Sequence, residues 1–220
     1  MKKAVVLVSG GLDSAVALYY ALSKGYLAEC VVFDYGQRHR KEVLRAAAIC
    51  RRAGCRLWSV KMSFPWKGSS LVDGKMRLPS RSLVRASRGI PSTYVPARNI
   101  LFLSYAVSLA EARGCRSVFI GAHSQDYSGY PDCRPQFYRA FQKAIDAGTR
   151  AGVEGKPIQI IAPLINSGKA GIIRLGKKLG VPFELTWSCY AGGKRPCGTC
   201  DSCLFRAKGF KEAGMVDPGV

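Results

Sequence analysis

The chain has 220 residues, 48% of them hydrophobic, and a formal net charge of +20. That is enough apolar sequence for one substantial core, yet no run nears the roughly 18 to 20 apolar residues of a membrane span. Met1-Lys2-Lys3 leads into only five apolar residues, too few for a secretory signal, so a soluble cytoplasmic protein is expected. Nine cysteines, an odd count without a secretion signal, read as reduced thiols and metal ligands, not disulfides.

Ala4 to Val8 is an unbroken valine-rich run of the kind that forms a strand buried on both faces. It passes through SGGLDS, Ser9 to Ser14, into an apolar helix from Ala15 to Leu22. Leu27 to Tyr35 reads as a second strand, His39 to Ala53 as a helix, and Arg56 to Met62 as a third strand. Ser63 to Ser92 is basic and rich in Ser, Gly and Pro. It is too long for an ordinary connection and reads as an insertion or a flap. Ile100 to Ala112 is a helix closed by Gly114, Ser117 to Ala122 a fourth strand, and Phe137 to Ala147 a further helix. Ile158 to Leu164 is a fifth strand, and Ala170 to Leu179 a helix ended by Gly180. Strands alternating with helices predict an α/β domain over residues 1–186, with a mostly parallel five-stranded sheet covered by helices on both faces. From Trp187 the composition turns to Cys, Gly and Lys, which marks 187–220 as a small metal-stapled segment.

In a parallel α/β sheet, ligands sit at the carboxyl ends of strands, where helix N-termini present unpaired N–H groups. SGGLDS stands at such a point. Gly10 and Gly11 allow positive φ and close approach of a phosphate, Ser9 and Ser14 add hydroxyls, and Asp13 calls for a bridging cation such as Mg²⁺. The loop is not GxxxxGK[ST], which sets it apart from kinase-like NTPases. Three later stretches are rich in donors and acceptors. DYGQRH (Asp34 to His39) ends the second strand, where Asp34 and Gln37 suit ribose or base and Tyr35 can stack. PSTYVPARN (Pro91 to Asn99) sets Arg98 and Asn99 ahead of a helix, and a guanidinium there suits a carboxylate or phosphate. GAHSQDYSGYPDCRPQF (Gly121 to Phe137) offers Asp126, Tyr130 and Asp132, a composition suited to a planar hydrogen-bonding heterocycle. His123 is as well explained by a backbone contact as by a role as base.

SGGLDS resembles the pyrophosphatase loop of the ATP-pyrophosphatase (adenine nucleotide α-hydrolase-like) superfamily. With DYGQRH, PSTYVPARN and SGYPDCRP in the same order, the chain from about Val5 to Phe210 resembles the 7-cyano-7-deazaguanine synthases of the queuosine and archaeosine pathways. Ala97 stands where that family usually has glycine, Gln136 where an acid is common, and Gly171 where glutamate often follows. The resemblance implies ATP-dependent conversion of 7-carboxy-7-deazaguanine and ammonia to the nitrile. It implies catalytic Asp13, Ser14 and Lys169, with ATP along Val8, Ser9, Gly10, Gly11, Leu12, Asp13, Ser14, Ala15, Val16, Ala17 and Leu18, and at Asp34 and Gln37. It places the deazaguanine at Arg98, Asn99, Asp126, Tyr130 and Asp132, and it implies Mg²⁺ with ATP and a homodimer. The alternative is a tRNA-modifying member of the superfamily. It draws on the fourteen Lys or Arg that Gly36 to Ile90 sets against only Glu42 and Asp73. With no evident RNA-binding domain, stable nucleic-acid binding is not expected.

Cys189, Cys197, Cys200 and Cys203 follow C-x7-C-x2-C-x2-C, a spacing that suits a tetrahedral zinc site or an iron–sulfur cluster. The family resemblance implies zinc. Four protein ligands leave no open position, so one structural Zn²⁺ per chain is expected, holding a helical tail.

Overall fold

The computed structural model describes residues 1–37, 41–78, 89–123 and 129–219. Five strands, β1 (Lys2–Leu7), β2 (Tyr26–Asp34), β3 (Arg56–Lys61), β4 (Ser117–Phe119) and β5 (Gln159–Ile161), form one sheet in the order β3-β2-β1-β4-β5. Every pairing is parallel. The period of two sends alternate side chains of the central strands into two separate cores. Ala4, Val6, Cys30 and Val32 face one side, under α1 (Leu12–Ser23) and α2 (Lys41–Arg52). Val5, Leu7, Val31 and Phe33 face the other, under α3 (Arg98–Arg113) and α4 (Pro135–Gly148). The expected doubly covered sheet is therefore present, and its apolar strands are continuous because both faces are buried.

The chain runs outward from β1 through β2 to β3, then crosses to β4 and β5 on the other side of β1. That reversal opens a crevice above the carboxyl ends of β1 and β4. β4 and β5 are shorter than the sequence reading, which carried them to Ala122 and Leu164. One bond, Ile120 N–H to the Ile161 carbonyl at 3.0 Å, continues the pairing before the chain leaves the sheet. A side chain at Gly121 would lie 2.8 Å from the Asp13 carbonyl carbon, so here the chain makes room for the β1–α1 turn. Pro163 lacks the N–H that would extend β5.

Helices α1, α3 and α4 begin two to three residues earlier than their apolar periodicity indicates. After the short α5 (Arg150–Val153) and β5, α6 (Lys169–Lys178) starts one residue before the predicted Ala170. The helix predicted from His39 is described from Lys41. In the Ser63 to Ser92 insertion the described part is ordered against the second core: Phe64 and Leu71 are buried there, and Ser70 N–H bonds the Ser92 carbonyl at 2.8 Å. The last helix, α7 (Asp201–Glu212), packs on α6 and sends Phe210 into the first core, edge-on to Phe183 with ring centroids 5.4 Å apart. Buried Arg206 on α7 binds both Asp217 oxygens, at 2.6 and 2.8 Å, and the Thr186 hydroxyl at 2.8 Å. The C-terminal segment is thereby tied to the main domain. Among the described residues, no helix is long and apolar enough to cross a membrane.

Ala97, just before α3, sits at φ 55° and ψ 21°, in the left-handed region. A β-carbon there costs about 1–2 kcal/mol. Glycine, which has no β-carbon, would remove that strain. Ala97→Gly is expected to raise Tm by about 2–4 °C, measured by thermal denaturation.

Candidate active site

The turn between β1 and α1 is built from its own side chains. Ser14 Oγ donates to the Gly11 carbonyl at 2.9 Å and accepts from Ser9 N–H at 3.1 Å, while Gly11 N–H donates to Ser9 Oγ at 3.2 Å. Gly10 holds φ 88°, and a side chain on it would run into the backbone of Glu42. Only glycine lets the turn and the first turn of α2 come this close. The first-turn amides of Leu12, Asp13 and Ser14 have no acceptor within the helix, and these residues line a cleft of about 260 Å³. That is the arrangement an anion needs.

Asp13 meets two groups brought from distant parts of the chain. Lys169, the first residue of α6, donates to both Asp13 oxygens at 2.7 and 2.8 Å. His123 Nε2, just past β4, lies 3.1 Å from the Lys169 ammonium and 3.5 Å from Asp13 Oδ2. Burial acts to raise the Asp13 pKa, but the Lys169 ammonium and His123 overturn it and hold the carboxyl well below the usual carboxylate range. His123 has no role assigned from sequence alone; its one signal is that it is the first polar side chain after β4.

Across the cleft, Arg98 donates to Tyr35 Oη at 3.2 Å, with its guanidinium 5.9 and 6.0 Å from the Tyr35 and Phe102 ring centres. Glu42 lines the same space. Burial pushes its carboxyl up to about 8, and the Arg98 guanidinium offsets only part of that rise. Tyr130 also lines the cleft, its hydroxyl 2.6 Å from that of Thr93. The structure thus brings Val8, Ser9, Gly11, Leu12, Asp13, Ser14, Gln37, Arg98, Asn99 and Tyr130 to one cavity.

Several sequence-named residues are also engaged within the fold. Ala15, Val16 and Leu18 are fully buried in the first core, and Ala17 is equally inaccessible. Gln37 turns its amide inward, accepting from Tyr35 N–H at 2.9 Å and donating to the Phe33 carbonyl at 3.3 Å. Asp34 accepts from Gly36 N–H at 3.4 Å. Buried Asp132 accepts the Asn99 amide at 3.0 Å and so caps the start of α3, while Asn99 Nδ2 reaches Cys133 Sγ at 3.2 Å. Asp126 lies outside the described residues.

The sulfurs of Cys189, Cys197, Cys200 and Cys203 all lie within 4.8 Å of one another. Four sulfurs at ~2.3 Å from a tetrahedral Zn²⁺ would be about 3.8 Å apart, so the cluster fits such an ion. Backbone N–H groups aim at the sulfurs, Cys197 N–H to Cys189 at 3.3 Å and Cys200 N–H to Cys197 at 3.4 Å. Burial acts to raise the Cys197 thiol, but donors from Thr199 and Cys200 outweigh it and lower it to about 6. The segment also forms a wall of the cleft. Trp187 and Tyr190 line it, Trp187 N–H donates to the Gly10 carbonyl at 2.9 Å, and Lys41 stacks 4.5 Å from the Trp187 ring centre. The cysteine spacing pointed to the metal; it did not point to Trp187.

A family model described as queuosine biosynthesis protein QueC matches residues 3–214. A 7-cyano-7-deazaguanine synthase of Nostoc punctiforme is 51% identical over 222 residues, covering 99% of each chain. Proteins of the same name from Acetivibrio thermocellus and Thermoplasma acidophilum are 51% and 50% identical, over 99% of this chain and 96% and 91% of theirs. Among solved structures, an NMN synthetase from Francisella tularensis superposes with a TM-score of 0.53 at 14% identity, covering 98% of this chain and 78% of that one. The two chains share a fold.

Proposed function

The chain belongs to the QueC family of queuosine biosynthesis proteins, and from that premise we propose that it is a 7-cyano-7-deazaguanine synthase working through adenylated intermediates. The observation that carries the reading is the SGGLDS turn, whose first-turn residues, with amides that have no acceptor inside the helix, share one cleft with Arg98. A carboxylate oxygen is a poor leaving group. Attack of that oxygen on the α-phosphorus of ATP expels pyrophosphate and turns the oxygen into part of AMP. Ammonia then displaces AMP to give the amide. A second adenylation, on the amide oxygen, lets AMP leave again as the nitrile forms and protons pass to solvent.

The protein contributes position and charge. The turn amides and Ser9 cradle the phosphates. Lys169, freed from Asp13, follows the leaving pyrophosphate, and Arg98 takes the substrate carboxylate. Asp13 is the residue that would hold Mg²⁺, which when bound neutralises phosphate charge. Cys189, Cys197, Cys200 and Cys203 would hold one structural zinc. Tyr130 and the rings beside Arg98 support a flat heterocycle. Ammonia as nitrogen source, a homodimer and a cytoplasmic location complete the reading.

The test is product analysis with 7-carboxy-7-deazaguanine, ATP and ammonium. The expected result is about two AMP and two pyrophosphate per nitrile. ADP and inorganic phosphate in their place would reject adenylation.

A further inference from the structure

A guanine-type ring presents two convergent N–H donors, the ring N–H and the exocyclic amine, and a carboxylate is the side chain that accepts both at once. Among the described residues, the carboxylates lining the cleft are Asp13 and Glu42. Asp13 belongs to the phosphate turn, and Asp132 caps α3. We propose that Glu42, set at the cleft by the first turn of α2 and facing Arg98, accepts the N–H edge of the substrate ring and determines its selectivity. This inference rests on the deazaguanine reading above.

The position of Glu42 is fixed from two sides. On one, its backbone lies against Gly10, where no side chain fits, so α2 keeps a set distance from the phosphate turn. On the other, neighbouring Lys41 donates to the Gly193 and Lys194 carbonyls and stacks on Trp187. A ring between Glu42 and Arg98 would offer donors to the first and its carboxylate to the second, with Tyr35 and Phe102 alongside. The charged and titratable described groups around Glu42 are Arg98 on α3, Tyr35 after β2, Asp13 on α1 and Lys41 beside it. Burial pushes the Glu42 carboxyl up to about 8, so its neutral form predominates at pH 7. Two N–H donors favour its charged form, so ring binding ionises it and releases a proton.

The experiment is calorimetric titration at pH 7 in buffers of different ionisation enthalpy, with Mg²⁺ and α,β-methylene-ATP present. The two ligands are 7-carboxy-7-deazaguanine and the analogue lacking the exocyclic amine. Wild type is expected to prefer the amine-bearing ring by about 100-fold or more and to release nearly one proton. In Glu42→Gln the preference is expected to fall below about tenfold and the proton release to vanish, with affinity for the nucleotide analogue alone unchanged. A variant that keeps both preference and proton release overturns the proposal. So does one whose loss falls on nucleotide affinity, which would place Glu42 on the ribose. Failure of wild type to bind the ring or form nitrile would instead reject the deazaguanine reading.

Discussion

Asp13→Asn is expected to lower kcat/KM by about 10²- to 10³-fold with little change in Tm. Asparagine keeps the shape but removes the charge that holds Lys169 at 2.7 Å and would hold the nucleotide's cation. The pair is only partly enclosed, with the Asp13 side chain about a quarter exposed, so its net worth to folding is small. Because the carboxyl is depressed, its contribution is present above the ordinary carboxylate range and is lost only as pH falls through the lowered value. A pH dependence of the wild type between 6 and 9 therefore has to come from another group. Steady-state kinetics beside a melting curve check both halves, and a variant within threefold of wild-type activity would remove Asp13 from the phosphate site.

Cys200→Ser is expected to abolish stable metal binding and, with it, nucleotide binding. A structural zinc site contributes on the order of 10 kcal/mol, far more than the small cluster of Trp187 and the cysteines can replace. The consequence reaches the cleft because Trp187 N–H holds the Gly10 carbonyl and Lys41 clamps the Gly193 and Lys194 carbonyls. Wild type should carry one zinc per chain by elemental analysis. The variant should carry none, show protease cleavage after Thr186, and lose ATP-analogue affinity at least tenfold. Full nucleotide affinity in a metal-free variant would separate the knuckle from the cleft.

How much of this was legible beforehand follows from what each pattern encodes. Apolar runs encode burial, so all five strands could be read, whereas β4 and β5 end early because Gly121 yields to Asp13 and Pro163 cannot donate. The Gly-Gly pair encodes a backbone constraint, and the turn could be read from it directly. Polar composition encodes capacity to bond but not the partner. Asp132, read as a ligand group, also caps α3, and Ala15 to Leu18, which the family resemblance sets along the nucleotide, are buried in the core. Lys169 reaches Asp13 from 156 residues away; the family resemblance put both in one site, but spacing could not show the contact. Glu42 was visible as an isolated acid in a basic stretch, but its depth depends on how α2 packs against Gly10.

The central claim is that this cleft activates an oxygen of the substrate by joining it to the α-phosphorus of ATP. Conversion of substrate labelled with ¹⁸O in both carboxylate oxygens, followed by mass spectrometry of the nucleotide products, tests it directly. The expected result is one ¹⁸O in each of two AMP molecules for every nitrile formed. Label recovered in pyrophosphate, inorganic phosphate or water, with unlabelled AMP, would contradict it.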